Sequence, residues 1–355
     1  MIGSGGVKPV DIAGRLIGPG QPCFIVAEAG VNHNGELASA KRLVDAAVAA
    51  RADAVKFQTF RATRLATARA PKAPYQQQRT GSEESQVDML RRLELSPAAH
   101  LELADYCRKR GIVFLSTPFD GESADLLDEL GVAAFKISSG DLTNLPFLAH
   151  VARKGKPMII STGMSTLNEV EAAVRAAQAA RAPGLVLLHC VSSYPADPAS
   201  VNLRAMRTMA DAFRLPVGYS DHTLGIDVAL AAVALGACLL EKHLTLDQRL
   251  PGPDHAASIE PDAFAALVRG ARLVESALGD GRKAPTAAEG DVAAVARKSL
   301  VAAQDIPSGT TLTEALIAIK RPGTGLPPTM LGRVIGRRAR QDIPADTLLT
   351  REMVV

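Results

Sequence analysis

Two histidines, two lysines and a glutamate carry the residue types and spacing that chemistry on a small polar substrate needs. His222 stands in GYSDHTLG and His243 in LLEKHLTL, each just after a short apolar run. Their separation, 243 − 222 = 21 residues, is the length of one strand-plus-helix unit. Neighbouring parallel strands lie about 4.8 Å apart, so both imidazoles could reach one divalent metal ion. A lone histidine is more often a polar residue with a local partner. Two at equivalent positions on adjacent strands favour a metal. With carboxylates and water as further ligands and no cysteine beside them, the site suits manganese, magnesium, iron, cobalt or zinc.

Lys56 in AVKFQTF and Lys136 in AAFKISSG sit inside apolar runs. A cation there loses hydration unless an anion compensates it. Either lysine could instead snorkel to solvent or pair with a carboxylate. Two such lysines among Ser116, Thr117, Ser138, Ser139, Ser161 and Ser220 read as a cage for a phosphate or carboxylate. No G-x-x-x-x-G-K-[ST] loop occurs, so this is not a Walker-type site. Glu28 adds a carboxylate. A metal, an anion cage and a carboxylate together suit Lewis-acid-assisted addition to a carbonyl. The residues by themselves name no substrate.

Eight apolar runs must position these groups: Cys23–Ala27, Ala54–Phe57, Ile112–Leu115, Ala133–Ile137, Met158–Ile160, Leu185–His189, Val217–Tyr219 and Ala237–Leu240. Between them lie amphipathic, alanine-rich stretches such as Glu36–Ala50, Pro97–Arg110, Leu167–Ala180 and Asp227–Leu235. Continuous apolar strands alternating with helices imply parallel strands covered on both sides. Eight units in about 280 residues predict an α/β fold, a (β/α)8 TIM barrel. A doubly wound open sheet is the alternative, weakened by the lack of G-x-G-x-x-G after the first strand. Polar residues follow every apolar run. A barrel gathers all eight strand ends on one face, where active sites sit.

The 355-residue chain fits a barrel plus a small module. A net charge of +3 argues against a nucleic-acid binder. No apolar run reaches the roughly 18 residues that span a bilayer, and MIGSGGVKPVDIAGR lacks the core of a secretory signal. A cytoplasmic protein is expected, with Cys23, Cys107, Cys190 and Cys238 as reduced thiols. The expected domains are a barrel over 1–282, a linker over 283–290 and a β-rich module over 291–355. Within the module, Gln304–Asp305–Ile306–Pro307 recurs as Gln341–Asp342–Ile343–Pro344, a period of 341 − 304 = 37 residues. Two copies are too few for a solenoid and suit a pseudo-symmetric module.

FIVAEAGVNHNGELASAKRLVDAA, DAVKFQTF, FLSTPFD, FKISSGDLTNLP, IISTGMSTLNEV, LHCVSSYP, GYSDHTLG, EKHLTLDQRLPGPDHAASIEP and AIKRPGTGL occur in that order. Together they resemble the bacterial N-acetylneuraminate (sialic acid) synthase family, from about residue 11 to the C-terminus. The module resembles the antifreeze-like, or SAF, domain that closes those enzymes. The resemblance implies condensation of phosphoenolpyruvate with an open-chain N-acetylmannosamine-type sugar, giving a nonulosonic acid and phosphate. A legionaminic or pseudaminic acid synthase, acting on a 2,4-diacetamido-trideoxyhexose, is the alternative; GPDHAAS resembles the neuraminate and legionaminate groups more than the pseudaminate group.

The resemblance also implies roles. His222 and His243 match the ligands of a divalent metal, manganese first with magnesium or cobalt as substitutes, and Glu28 a catalytic carboxylate near the aldehyde. Lys56, Thr117, Lys136, Ser139, Ser161, Ser192 and Ser220 match phosphoenolpyruvate-binding positions. Gln58, Asp141, Tyr194, Asp254 and Arg321 match positions around the sugar. Arg321 is expected to reach the partner's barrel in a domain-swapped homodimer. Ser192 and Asp141 depart from members carrying Asn and Glu there. A binding protein without catalysis is countered by the retained Glu28, Lys56, Lys136, His222 and His243. Ice binding is countered by the lack of a regular threonine array.

Overall fold

The computed structural model describes residues 6–81 and 83–355. The chain divides into two compact units, Met1–Gly279 and Asp280–Val355. The first opens with an antiparallel hairpin of β1 (Val10–Ile12) and β2 (Arg15–Ile17). Eight parallel strands follow: β3 (Phe24–Gly30), β4 (Ala54–Thr59), β5 (Val113–Pro118), β6 (Phe135–Ile137), β7 (Met158–Ser161), β8 (Leu185–Cys190), β9 (Val217–Asp221) and β10 (Leu239–His243). Their order is β5-β4-β3-β10-β9-β8-β7-β6. β5 and β6 lie side by side at the seam, and no ladder joins them among the described residues. This is the expected TIM-type barrel, nearly closed. Each expected run contains or overlaps a strand, and most strands continue past it into the polar residues.

Helices form where sequence supplies both an apolar stripe and end signals. In Pro97–Arg110, Ser96 Oγ accepts from Ala99 N at the start, Pro97 opens the first turn, and Gly111 takes the left-handed conformation at the end. Leu167–Ala179 begins with a reciprocal cap between Thr166 and Glu169. Both helices turn buried residues, Leu103 and Cys107 in one and Val170 and Ala173 in the other, toward the strands. Among the described residues, no helix is long and apolar enough to cross a membrane.

Strand alternation divides the barrel interior into two levels. Phe24, Val26, Ala54, Leu115, Ile159, Val186, Leu188 and Leu239 form a buried apolar layer with Val10, Ile12 and Ile17 of the hairpin. The hairpin, which the sequence reading did not foresee, thus belongs to the core at the strands' N-terminal level. Two residues further along the same inward-facing rows stand Glu28, Lys56, Thr117, Ser161, Cys190 and Glu241. Below is oil, above is chemistry.

Between β4 and β5 the chain makes a long excursion with helices at Ala62–Leu65, Pro74–Thr80 and Gln86–Leu93. Buried Lys72 ties it together, donating to Thr80 Oγ1 at 2.9 Å and Gly81 O at 2.9 Å.

The second unit has a helix at Glu289–Ala296 and a hairpin of β11 (Ser299–Ala302) and β12 (Ile317–Lys320). Its core includes Leu300, Ile306, Leu312, Ile343 and Leu349. The 37-residue repeat is a structural one. Ile306 N donates to Ile343 O, and Ile343 N donates back to Ile306 O, both at 2.8 Å. Ala345 N donates to Asp305 Oδ1 and Ser308 N to Asp342 Oδ1, each at 2.7 Å. Ala302 N bonds Thr347 O, and Ala339 N bonds Thr310 O. Each pair maps onto the other by adding or subtracting 37.

Candidate active site

The polar level of the barrel opens into a cavity of about 530 Å³. Its floor is a row of alternating charges. Lys56 forms a close ion pair with Glu28 and lies 3.7 Å from Glu241 Oε2, while Lys136 Nζ lies 3.3 Å from Glu241 Oε1. Register explains the meeting: Glu28 pairs with Lys56 on one side and with His243 on the other, and Glu241 pairs with Ser220. Ser220 Oγ donates to Glu241 Oε1 at 3.0 Å, and Lys56 Nζ donates to Thr117 Oγ1 at 3.1 Å. All four charged groups are buried.

Burial alone would neutralise each group, and its neighbours decide the outcome. Burial pushes the Glu241 carboxyl up, but Lys136 and Lys56 outweigh it and hold Glu241 below the usual range. Burial raises Glu28, where the pull of Lys56 is insufficient and Glu241 adds to the rise. Lys56 is held above its ordinary value because Glu241 and Glu28 overcome its desolvation. Burial lowers Lys136 despite Glu241. The floor therefore holds a firmly ionised Glu241 and a charged Lys56, with the Glu28 carboxyl raised by burial so that it takes up a proton more readily than an ordinary glutamate.

The two histidines stand beside this row, with ring centroids 5.4 Å apart. His222 Nδ1 donates to Val191 O at 2.7 Å, which fixes the tautomer leaving Nε2 as a lone-pair donor. His243 Nδ1 is buried with no hydrogen-bond partner among the described residues. Burial lowers both imidazoles, so each is neutral and ready to ligate. Two neutral imidazoles, one of them with a buried unpartnered nitrogen, fit a divalent transition metal. Among the described residues, no group of three or more His, Cys, Asp or Glu is arranged to hold an ion. A bound metal would therefore take its other ligands from water or substrate.

A second pair holds these histidines from behind. Asp221 and Lys242 precede them and point outward, away from the cavity. Lys242 Nζ donates to Asp221 Oδ2 at 2.5 Å and to Thr223 O at 2.8 Å. Asp221 Oδ1 accepts from Tyr219 Oη, Thr223 N and Thr223 Oγ1. Both side chains are essentially inaccessible.

The remaining expected residues divide unevenly. Gln58, Ser139, Ser161, Ser192, Tyr194 and Asp254 line the cavity. Gln58 Nε2 lies 3.4 Å from Glu28 Oε1. Gly30, at φ +52°, makes room for both: an added Cβ would fall 3.1 Å from Glu28 Oε1 and 3.4 Å from Gln58 Nε2. Ser139 Oγ accepts from Gly163 N at 3.0 Å, and Ser161 Oγ is buried without a partner among the described residues. Asp254 is pushed up to about 6 by burial, against the pull of Lys56.

Asp141 is not among the lining residues. Its carboxylate accepts from Ser138 Oγ at 2.6 Å within its own turn. Arg321 is exposed in the second unit, before the cis bond to Pro322. Ser116, expected in the anion cage, faces the other way. Its Oγ lies 2.7 Å from Thr59 Oγ1, which lies 2.9 Å from His100 Nε2, because neighbours along a strand point to opposite faces.

Sequence reasoning gave no role to Glu241, although it stands two residues before His243 and must share its face. It also missed Tyr75, whose ring stacks on Tyr194 at 5.0 Å; Tyr194 in turn lies 4.2 Å from the His222 ring.

A TIM-type barrel with charged and imidazole groups at its strand ends, joined to a small β-module, defines a class of barrel synthases. The model of the NeuB family matches residues 43–283, and that of the SAF domain matches 297–355. The chain is 47% identical over 328 residues to an N,N'-diacetyllegionaminic acid synthase of Campylobacter jejuni, covering 92% of this chain and 98% of that protein. It is 46% identical over 341 residues to the enzyme of that name from Legionella pneumophila, covering 95% and 96%. The crystal structure of N-acetylneuraminic acid (sialic acid) synthetase from Leptospira borgpetersenii is similar, with a TM-score of 0.71 and 36% identity, over 81% of this chain and 95% of that one. The chain belongs to the NeuB family and is an enzyme, a synthase with a C-terminal SAF domain.

Proposed function

We propose that this enzyme condenses phosphoenolpyruvate with the aldehyde of an open-chain 2,4-diacetamido-trideoxyhexose, giving a legionaminic-type nonulosonic acid and phosphate. The observation that carries the reaction class is the buried Glu28–Lys56–Glu241–Lys136 row beside two neutral imidazoles. The choice of sugar rests on the 47% and 46% identities to legionaminic acid synthases. It reverses the order of the sequence reading, which put N-acetylmannosamine first.

Lys56 and Lys136, with Thr117, Ser139, Ser161, Ser192 and Ser220, hold the phosphate and carboxylate of phosphoenolpyruvate. The C3 carbon attacks the aldehyde carbon, and the aldehyde oxygen becomes a hydroxyl. Glu28, held up by burial, supplies that proton. Water adds at C2, gives up a proton, and phosphate leaves by C–O cleavage, so a ketone remains. A manganese ion held by His222 and His243 would supply Lewis-acid polarisation of the aldehyde. Gln58, Tyr194 and Asp254 orient the sugar. Arg321 meets an N-acyl group from the partner subunit of a homodimer, as the family resemblance implies.

The deciding experiment mixes the purified protein, Mn²⁺ and phosphoenolpyruvate with a panel of N-acylated sugars. Phosphate release and product mass are measured. The diacetamido sugar should give the highest kcat/KM. Turnover of N-acetylmannosamine alone would reverse the sugar assignment, and no phosphate release with any sugar would end the reading.

A further inference from the structure

The cavity has two unlike walls. One carries the charge row and the imidazoles. The other is apolar: Val31, Leu65, Met89, Leu90, Leu93 and Phe119 line it, and all six belong to one hydrophobic cluster at the cavity's side. Four come from the excursion between β4 and β5. Met89 and Leu93 are buried and anchor the wall, whereas Leu65, Leu90 and Phe119 keep part of their surface open. Tyr75, Gln76 and Gln86 of the same excursion also line the cavity, and the Gln76 amide is engaged at both ends. Gln76 Oε1 accepts from Ala73 N at 3.0 Å and from Gln86 Nε2 at 3.4 Å, and Gln76 Nε2 donates to Tyr75 Oη at 3.4 Å.

We propose that this apolar wall receives the C6 end of the acceptor sugar and selects a methyl group there over a hydroxymethyl. The inference rests on the condensation reading above and adds the residues that read the sugar. An aldehyde reacting beside the imidazoles and lysines directs its carbon chain away from the charges. Its far end then meets the cavity's uncharged side. A methyl group gains by leaving water there. A hydroxyl set among six apolar side chains gives up its water for little in return, and the Gln76 amide of the same excursion is already engaged at both ends. A hydrophobic pocket discriminates against an added hydroxyl by at most about 100-fold, so the wall biases selection and does not enforce it absolutely. Leu65 and Leu90 are the specificity-determining side chains, because they are the leucines of the wall that remain part-open.

The test uses two sugars that differ only at C6: 2,4-diacetamido-2,4,6-trideoxymannose and its 6-hydroxy counterpart. The wild-type ratio of kcat/KM should favour the deoxy sugar roughly 10- to 100-fold. Leu90→Gln and Leu65→Gln should each lower that ratio several-fold. Partial misfolding reduces both rates together and leaves the ratio alone. A wild-type ratio near one, or two variants that both keep the wild-type ratio, overturns the role of the wall while leaving the condensation intact. Absence of phosphate release with either sugar defeats the condensation reading itself, and the wall's role with it.

Discussion

His222→Ala and His243→Ala each remove one of two imidazole donors, and no third His, Cys, Asp or Glu stands ready among the described residues. Each variant should bind Mn²⁺ at least about 100-fold more weakly by electron paramagnetic resonance, taking a lost ligand as more than the 10- to 100-fold of a lost supporting partner. Unaltered affinity in a folded variant would remove the metal assignment. Lys136 is a different case, because its loss still leaves Glu241 paired with Lys56. A charge-assisted hydrogen bond contributes about 1.5–3 kcal/mol, so Lys136→Met should raise the KM for phosphoenolpyruvate roughly 10- to 100-fold and that for sugar far less. Equal effects on both would count against the anion cage. Asp254 gives a pH signature. Its carboxyl is held up at about 6, above its ordinary 3.8, so the fold favours the protonated form. That contribution is complete below the unfolded value and is lost as pH rises from about 4 to about 6. Relative to wild type, Asp254→Asn should therefore gain stability across that interval and level off above it, by at most about 3 kcal/mol. A pH-independent difference in urea unfolding would contradict the burial effect. These residues were legible because strand-end His and Lys are rare enough to stand out. Glu241 was less so: an acidic residue beside a lysine reads as an ordinary surface pair until its neighbours' facing is known.

At the scale of elements, the apolar runs revealed all eight barrel strands, because parallel strands buried on both faces have no polar interruption. They ended too early in the reading for the same reason: the strands continue through the very polar residues that do the work. The N-terminal hairpin escaped notice because VDI and RLI are three residues each, and the β4–β5 excursion because its short helices carry no sustained period. The Asp221–Lys242 pair belongs to this scale. It clips β9 to β10 on the outer face, where Lys242 and Asp221 are direct partners in register, and so sets the spacing of the histidines that follow. Breaking a buried pair by removing one partner costs about 3–5 kcal/mol. Lys242→Met should lose about that much in denaturant unfolding, whereas Asp221→Leu combined with Lys242→Met should recover a good part of it and still bind Mn²⁺ less tightly than wild type. A double variant with wild-type metal affinity would show that the pair holds only the fold.

At the scale of the molecule, the sequence reading ends the barrel at 282 with a linker over 283–290, and the chain divides between Gly279 and Asp280. Taken alone Arg321 reads as a solvated loop residue, and only the family resemblance implies a partner subunit for it. The proposed swapped dimer has a direct test. Arg321→Ala and His243→Ala proteins, each nearly inactive, are mixed and allowed to exchange subunits. If Arg321 serves the partner, one barrel in each heterodimer has both its histidine and an intact arginine, and activity returns. Verified exchange without recovery means that Arg321 serves its own barrel or none. The SAF domain carries an internal two-fold relation between its two repeat copies. Asp305 and Asp342, 37 residues apart, cap each other's segment through Ala345 and Ser308, and Ile306 and Ile343 exchange both backbone bonds. A contact in which one surface meets its own likeness is the signature of a two-fold homodimer. Each half therefore completes the other, giving a cap and a backbone partner and receiving the same in return, so a change at one of the two aspartates should be felt in the half that does not contain it.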